Sequence, residues 1–200
     1  MGKAGNNGVT ADTPKKILFG AGTFHKNLKF TVGENGGTWN MDESIFGATN
    51  GGSKLSIIPE LVDIEVDGVY VPTKGLKEKV GETAEMEVNL IEVTEEIIKA
   101  ATIGKDGVSE DTLYNLIESK ASIDDVDYWE NVAFVGKTLK GKNIIAILEN
   151  PLLISGFESE GKAKESTTGT YTFACHADIN DADASFDVLP WKIYYPKPVA

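Results

Sequence analysis

The sequence predicts a mainly β protein: an antiparallel β-sandwich or partly closed barrel with one or two short inserted helices. Two long stretches between Leu55 and Val93 alternate apolar and acidic residues with the period of two that is typical of a half-buried strand. Further strand-like segments follow, and turn-forming residues separate them. The chain has 200 residues, enough for one domain that buries roughly 70% of its unfolded surface.

The chain is predicted to contain one domain. Residues 1–14 are rich in Gly, Asn, Thr and Ala, without periodicity, and we expect a flexible N-terminal segment there. A single β domain over residues 15–200 follows. Short strands are expected at Lys16 to Gly20 and at Thr23 to Val32, on either side of a glycine-containing turn.

A long loop is predicted at about residues 33–54, because this stretch is rich in turn formers. It nevertheless contains four large apolar residues: Trp39, Met41, Ile45 and Phe46. Side chains of this kind on a long loop either fold back on the domain's own core or dock on a partner. The sequence leaves both possibilities open and slightly favours self-packing.

The two central strands each have an apolar and an acidic side. The first strand carries its apolar residues at Val62, Ile64 and Val66, and the second at Ala84, Met86, Val88 and Leu90. Between them lie Asp63, Glu65 and Asp67 in the first strand, and Glu85, Glu87 and Asn89 in the second. If the two strands pair, the sheet has one core face and one carboxylate-lined face.

Two helical segments are considered after this strand pair. Thr94 to Ala101 begins with a capping Thr and early carboxylates and then turns apolar, which predicts a short helix. Ser109 to Lys120 has similar features and is either a helix or an irregular excursion.

Strands are predicted again from Tyr128 onward. Val132 to Leu139 and Asn143 to Leu148 have the pattern of a hairpin, and the second of these is almost continuously apolar, as in a strand covered on both faces. Gly169 to Asp178 alternates, and Phe186 to Tyr195 provides the last strand.

The charge of the chain argues against nucleic-acid binding. The net charge is −12, and all nineteen basic residues are lysines. Proteins that grip phosphates or read bases use basic patches and arginine, whereas an acidic wall repels a polyanion over about 8 Å at physiological salt. No apolar run is long enough to span a bilayer and no signal peptide is recognised, so we expect a protein without membrane association.

No sequence motif specifies an enzyme, a cofactor or a metal. The glycines at Gly20 and Gly22 lack the helix that a dinucleotide fingerprint needs, and the acidic run from Asp178 to Asp183 lacks the glycine and glutamate of a calcium loop. His25 and His176 have no closely spaced ligand partner. The single cysteine, Cys175, is expected to be a small buried hydrophobe.

A series of short segments resembles the major tail proteins, or tail tube proteins, of long-tailed bacteriophages that infect Gram-positive bacteria. In chain order the segments are Phe19-Gly-Ala-Gly22, Trp39 with Gly47-Ala-Thr-Asn-Gly-Gly52, Pro59-Glu60, Ile64-Glu-Val-Asp-Gly68, Lys74-Gly75, Asn89-Leu-Ile-Glu-Val-Thr-Glu-Glu96, Asp127-Tyr-Trp-Glu-Asn-Val132, His176-Ala-Asp178, Phe186 and Ile193-Tyr-Tyr-Pro196. They span most of the chain, and their order carries the resemblance.

The resemblance implies a viral structural protein of the virion tail, made in the cytoplasm of the host bacterium and without enzymatic activity. Such subunits self-assemble into hexameric rings that stack into a tube, whose lumen conducts DNA during ejection without binding it specifically. Other tail proteins, such as tape measure, tip and terminator proteins, would be further partners. One sheet of each subunit lines the lumen, and a long loop reaches an adjacent ring.

Two sets of residues receive roles from this resemblance. Trp39, Met41, Ile45 and Phe46 are candidate inter-subunit contacts on the long loop. Asp63, Glu65, Asp67, Glu85 and Glu87 are candidate lumen-facing carboxylates, with a solvated exterior face as the competing interpretation. The alternative function is a carbohydrate- or surface-binding β-sandwich module, which would use exposed aromatic residues such as Trp129, Trp191 and Tyr194.

Overall fold

A computed structural model describes residues 10, 13–16, 22–34, 36–139, 142–159, 167–180 and 186–197. The helices are α1 (Thr13–Lys16), α2 (Met41–Ser44) and α3 (Glu95–Thr102), and a 3-10 turn covers Asp125–Asp127. The strands are β1 (Thr23–Lys26), β2 (Phe30–Gly33), β3 (Gly36–Trp39), β4 (Thr49–Asp63), β5 (Lys77–Leu90), β6 (Gly104–Gly107), β7 (Leu116–Ser119), β8 (Asn131–Gly136), β9 (Ile144–Glu149), β10 (Pro151–Leu153), β11 (Gly169–Cys175) and β12 (Trp191–Tyr194).

The predicted β-sandwich is confirmed. Sheet I has the strand order β1-β8-β9-β12, and sheet II has the order β10-β11-β5-β4. Every strand pair in both sheets is antiparallel. Two small hairpins, β2-β3 and β6-β7, complete the sheet structure of the described residues.

The main core lies between the two sheets. Sheet II contributes Met86, Val88 and Phe173, all fully buried, and sheet I contributes Phe24 and others. The rings of Phe24 and Phe173 lie 5.3 Å apart. Full burial of such side chains stabilises the fold by about 1.5–3 kcal/mol each. The alternation predicted for β5 is therefore confirmed, since its even-numbered residues from Ala84 to Leu90 are all buried.

Sheet I is covered on both faces. A second apolar cluster lies on the face of sheet I that points away from sheet II, and it consists of Leu28, Ala133, Val135, Ile145 and Ile147. Trp39 and Met41 pack against this cluster from outside. The prediction that β9 is buried on both sides is therefore confirmed, and so is its pairing with β8.

Helix α3 is the predicted inserted helix. The hydroxyl of Thr94 accepts a hydrogen bond from the backbone N–H of Ile97 at 3.3 Å, as an N-cap does. The helix ends at Ile103, which adopts the left-handed conformation with φ of 49°. Its buried residues Ile97 and Ala101 attach it to the main core.

The helix considered for Ser109 to Lys120 is not formed. The side chain of Asp111 accepts a hydrogen bond from the N–H of Leu113 at 2.9 Å, and the hydroxyl of Ser109 accepts one from the N–H of Asp111 at 3.2 Å. Such local bonds favour turns over helix. The chain then continues as β7, which pairs with β6.

One further expectation is corrected at the N-terminal side, and two others lie mostly outside the described residues. The strand expected over Thr23 to Val32 is interrupted after β1, because Asn27 has a positive φ of 54° and the side chain of Asn131 bonds the backbone N–H of Leu28 at 2.9 Å. The flexible segment at 1–14 and the strand expected at Lys16 to Gly20 lie mostly outside the described residues, although Lys16 itself ends α1.

Candidate functional site

The longest exposed stretch of the described β structure is the far end of the β4-β5 hairpin, residues Ile58–Val80, which we call the arm. Every arm residue is exposed except Leu76, which is half-buried. Strand β11 pairs with β5 only from Ala174↔Glu85 inward, so beyond that point the hairpin has no third strand. The paired part from Ile58 to Asp63 is about 20 Å long at ~3.3 Å per residue.

The arm carries an unusual number of exposed apolar side chains. They are Ile58, Leu61, Val62, Ile64, Val66, Val69, Tyr70, Val71 and Val80, with Tyr70 93% exposed. An isolated two-stranded hairpin is marginally stable in water, and contiguous exposed apolar surface marks an interaction site. The apolar side predicted for Leu61 to Asp67 therefore exists but is not covered by the chain's own core, which corrects the expectation of a core face there.

The arm ends in an ordered tip, residues 64–76. The N–H of Ile64 donates to the carbonyl of Leu76 at 2.8 Å, and the ammonium of Lys77 lies 2.8 Å from the carboxylate of Asp63. Gly68 and Gly75 have φ of 85° and 95°, a region that favours glycine, so they permit the turns of the tip.

A buried carboxylate holds the base of the arm. The register of β4 and β5 shifts between Glu60 and Leu61, and next to this irregularity the Glu82 side chain is only 3% exposed. Its carboxylate lies 2.5 Å from the ammonium of Lys79 and accepts a hydrogen bond from the N–H of Leu189 at 2.7 Å. These two bonds hold the pKa of Glu82 below its ordinary value. Glu82 thus joins the arm's base to the segment that leads into β12.

The predicted acidic residues fall into two separate groups. Glu85 and Glu87 lie on the outer face of sheet II, opposite the core, and are half-buried. Asp63 belongs to the other face of the hairpin. The register shift leaves Val80 of β5 unpaired, whereas every residue of β4 from Ser56, which is paired with Glu85, to Asp63 is paired, and these two residues are seven positions apart. Beyond the end of β4, Glu65 and Asp67 lie exposed in the tip. The single carboxylate-lined sheet face is therefore not formed.

The outer face of sheet II is polar around its two carboxylates. Across the strands from Glu87 lie Lys54 and Thr172. The hydroxyl of Thr170 donates to the side-chain oxygen of Asn89 at 2.6 Å. Small and polar groups thus surround the carboxylates of this face.

The four apolar residues of the predicted loop pack mainly on the chain itself. The segment contains β3, α2 and the start of β4, so it is not one long loop. The ring of Trp39 lies 5.1 Å from that of Phe30 and 4.9 Å from that of Tyr194. Among the four residues only Ile45 is classed as exposed.

Phe46 and Met41 pack on opposite sides of sheet I. The ring of Phe46 contacts those of Trp129 and Phe24 at 5.0 and 5.8 Å, within the main core region. Met41 packs against the second cluster with Trp39. The segment therefore packs largely on its own chain, which is the possibility that the sequence slightly favours. Among the elements described here, the arm is the one that projects.

A serine and a histidine come together in a way the sequence did not reveal. The Nδ1 atom of His25 lies 2.9 Å from the hydroxyl of Ser44, and its Nε2 atom lies 2.7 Å from the hydroxyl of Thr23. His25 is 2% exposed and Ser44 5% exposed, so no substrate reaches them. Burial lowers the pKa of His25. The group is a buried neutral link between β1 and α2.

The aromatic residues considered for carbohydrate binding do not form an exposed platform. Trp129 is buried and contacts Phe46 and Phe173, with the ammonium of Lys26 placed 4.0 Å from its ring centroid. Trp191 is half-buried against the main core. Tyr194 is the only exposed residue of the three, and its ring contacts that of Trp39, so the three do not form an exposed cluster.

No group of three or more His, Cys, Asp or Glu side chains among the described residues could hold a metal ion. None of the described helices is both long enough and apolar enough to cross a membrane.

No protein family's profile matches the chain, and no curated protein matches it at a significant level.

Proposed function

We propose that the protein is a structural subunit of a bacteriophage tail tube, which assembles with copies of itself into hexameric rings that stack around a DNA-conducting lumen. The observation that carries this proposal is the arm. Its apolar side chains are exposed in the single chain, and a partner that covers them would remove that surface from water at about 25 cal/mol per Å². The arm is thus suited to assembly.

A repeating self-contact suits the open edges of sheet II. Strand β4 is an edge strand of fifteen residues. Long unpaired edges invite pairing with another chain, and a head-to-tail contact repeated around a closed ring satisfies every copy equally. Pro59, Lys54 and Glu60 on this strand would restrict indiscriminate pairing.

Sheet II is the sheet we assign to the lumen. Its outer face carries Glu85, Glu87 and Asn89 beside Thr170 and Thr172, with small or polar partners across the strands. With Lys54 opposite Glu87, this face has two carboxylates and one ammonium group, and six copies of its net negative charge would repel a polyanion from the wall. The proposal therefore assigns a lumen role to Glu85 and Glu87, and contacts between copies to the arm with Asp63, Glu65 and Asp67.

The binding-module alternative requires a cluster of exposed aromatic residues. Its aromatic residues are largely occupied inside the chain, as described above for Trp129 and Trp191. A stable monomer that binds glycans would nevertheless overturn the tube proposal.

Electron microscopy tests the proposal. Purified full-length protein, imaged in negative stain over a concentration series, is expected to form rings or tubes, and a reconstruction is expected to place Glu85 and Glu87 on the lumen wall. A particle that stays monomeric at all concentrations would contradict the assembly. Tubes with these two carboxylates on the outside would contradict the assignment of sheet II.

A further inference from the structure

One end of sheet I is basic, although the chain as a whole has a net charge of −12. At this end β8 and β12 finish and β9 begins, since Gly136 pairs with Ile144 and Tyr194 pairs with Ile145. We call the described residues that lie there, 137–139, 142 and 194–197, the basic end. They include three lysines and no Asp or Glu, and the sequence places a fourth lysine between the first two.

The lysines of the basic end are available to a partner. Lys137, Lys142 and Lys197 are exposed, and none of them has an ion-pair partner among the described residues. Beside them Leu139 is 45% exposed and Tyr195 is 61% exposed. A fitting partner for this surface therefore combines carboxylates with apolar side chains.

The opposite end of sheet I bears residues 104–127, which contain β6, β7 and the 3-10 turn and which we call the insert. Strand β6 packs against α3, and an ion pair between Lys26 and Glu96 joins α3 to the end of β1. Lys26 pairs with Val132, next to the start of β8. Strand β8 has six residues, so the basic end lies about 20 Å from there at ~3.3 Å per residue. The insert and the basic end of one chain are therefore held at opposite ends of the sheet.

The insert is acidic and carries exposed apolar side chains. It contains seven carboxylates and two lysines, and both lysines are ion-paired with carboxylates of the insert itself. Glu110, Asp111 and Asp125 are exposed and have no cationic partner within the described part of the chain. Leu113 and Val126 are 84% and 83% exposed. The insert thus has the combination that the basic end requires.

A concavity of about 530 Å³ lies between the insert and α3, and most of the residues in its wall are polar. The wall has three carboxylates, those of Glu95, Asp106 and Asp111, and one ammonium group, that of Lys99. This ammonium group is already ion-paired with Asp106. The concavity therefore has a net negative charge and suits an ammonium group that comes from another chain.

We propose that the basic end of one copy docks on the insert of the next copy, with its lysines against Glu110 and Asp111 and with Leu139 near Leu113. This inference rests on the proposed self-assembly and names two surfaces that meet in it. Because the two surfaces lie at opposite ends of sheet I, the contact runs head to tail and repeats from copy to copy instead of ending at a dimer. Their opposite charges determine which surfaces meet.

Two other occupants fit the basic end less well. The arm tip carries Glu65 and Asp67 against Lys74, which gives a net charge of −1, whereas the seven carboxylates and two lysines of the insert give −5. A nucleic acid would satisfy the lysines but would leave Leu139 and Tyr195 without an apolar partner. The insert therefore matches the basic end in both charge and apolar surface.

Two charge-reversed chains test the contact. One carries Lys137→Glu with Lys142→Glu, and the other carries Glu110→Lys with Asp111→Lys. Each variant alone should need an at least tenfold higher concentration to assemble in sedimentation and negative stain, since like charges then meet. An equimolar mixture should assemble near the wild-type concentration, because the two altered surfaces then meet with opposite charge and so do the two unaltered ones.

The matched control for the insert is Asp178→Lys with Asp187→Lys. Both residues are exposed. Asp178 also accepts a local backbone hydrogen bond, from Asn180, just as Asp111 does from Leu113. Mixed with the Lys137→Glu, Lys142→Glu chain, this control should not restore assembly. Thermal unfolding of every dilute variant is expected to match the wild type, since all the substituted side chains are exposed.

Cysteine cross-linking provides a second measurement that leaves the charges unchanged. Leu139→Cys and Leu113→Cys chains are mixed under assembly conditions and treated with a short bis-maleimide. The native Cys175 gives little background, because burial raises the pKa of its thiol to about 12 and holds the thiol unreactive. We expect a linked dimer from this mixture and none from Leu139→Cys mixed with Val32→Cys, a control position on β2 that is 82% exposed.

The outcomes separate this inference from the tube proposal. If wild-type tubes form but the mixture is not restored and no cross-link appears, the docking inference is overturned and the tube proposal stands. Lysine variants that assemble normally but lose binding to duplex DNA would overturn it in favour of a nucleic-acid surface. A wild type that forms no assembly at any concentration would overturn both.

Discussion

The two halves of the β4-β5 hairpin have similar sequence patterns and opposite surroundings. In the inner half Met86, Val88 and Leu90 alternate with polar residues and are fully buried. In the outer half Val62, Ile64 and Val66 alternate with carboxylates in the same way, yet each is almost half exposed. The inner half lies beneath sheet I, whereas the arm extends past sheet I and past the other strands of sheet II.

The difference shows what strand periodicity can predict. A period of two defines a strand with an apolar side, but it does not define which surface covers that side. Inside one chain the cover is another sheet, and in the arm we attribute it to a neighbouring copy. Substitutions in the two halves should therefore separate the stability of the monomer from assembly.

The largest expected effect is on the inner half. Leu90→Ala should lower the free energy of unfolding by about 3 kcal/mol, because it removes a fully buried side chain from the core between the sheets. Leu61→Ala in the arm should change it by less than about 0.5 kcal/mol. Urea unfolding of the dilute monomer measures both, and equal losses would contradict the comparison.

The segment of residues 33–54 offers a second test that separates core packing from contacts between copies. Phe46→Ser should destabilise the monomer by about 2 kcal/mol, since the ring packs against Trp129 and Phe24. The neighbouring Ile45→Ser is the control and should cost much less, because Ile45 is exposed. Thermal unfolding of both variants measures the two losses of stability. A Phe46→Ser monomer of normal stability that fails to assemble would return this residue to the role of an inter-subunit contact.

Glu82 lies at the boundary between the inner half of the hairpin and the arm. Its substitution should cause a smaller loss of stability, and this loss should depend on pH. Glu82→Gln is expected to lower the free energy of unfolding by about 1–2 kcal/mol at pH 7, because it weakens the bonds from Lys79 and Leu189. The folded-state pKa of Glu82 is depressed, so its stabilisation is present above the ordinary pKa of about 4.3 and is lost as the pH falls through the folded pKa. Unfolding measured between pH 7 and pH 3 should show the wild type and the variant converging in acid. A difference in unfolding free energy that stays constant with pH would contradict a stabilising role of the ionised Glu82 carboxylate.

His25 should cause a loss of stability that is smaller than that of Glu82 and begins at a higher pH. Burial depresses its folded-state pKa, so stability is full above the unfolded value of about 6.5 and declines as the pH falls below it. Replacing this residue, as in His25→Gln, should remove that part of the pH dependence. Unfolding curves between pH 8 and pH 5 measure it, and an unchanged slope in the variant would exclude His25 as its source.

The smallest effect is expected on the outer face of sheet II. Glu85→Gln with Glu87→Gln should leave the stability of the monomer within about 0.5 kcal/mol, because neither carboxylate belongs to an ion pair among the described residues. A loss above 2 kcal/mol would indicate that these residues serve folding instead of a surface function.

Local sequence signals predicted most of the fold. The alternation in β5 and β11, the apolar run in β9 and the capping Thr94 each identified an element correctly. The segment from Ser109 was ambiguous because its Ser and Asp can cap a helix or close a turn. Burial by residues that are distant in the chain was not predictable. Trp39 and Phe46 are packed against such residues, whereas Val62 is not.

The candidate site was less predictable for the same reason. The sequence identified the carboxylates but placed Asp63 with Glu85, because the phase of two strands in one sheet depends on their register. The buried pair of His25 and Ser44 is nineteen residues apart in the chain and follows no motif. The run from Val69 to Val71, in which three apolar residues follow a glycine turn, was the available signal for the exposed arm.

Removal of the arm tip tests whether the arm is needed for assembly but not for folding. Residues 64–76 can be replaced by Asn-Gly, because Asp63 and Lys77 pair directly and a two-residue turn closes such a hairpin. The shortened chain is predicted to unfold with the stability of the full chain as a monomer, and to form no rings or tubes in negative stain. A shortened chain that assembles like the full one, or a monomer that no longer folds, would contradict the account.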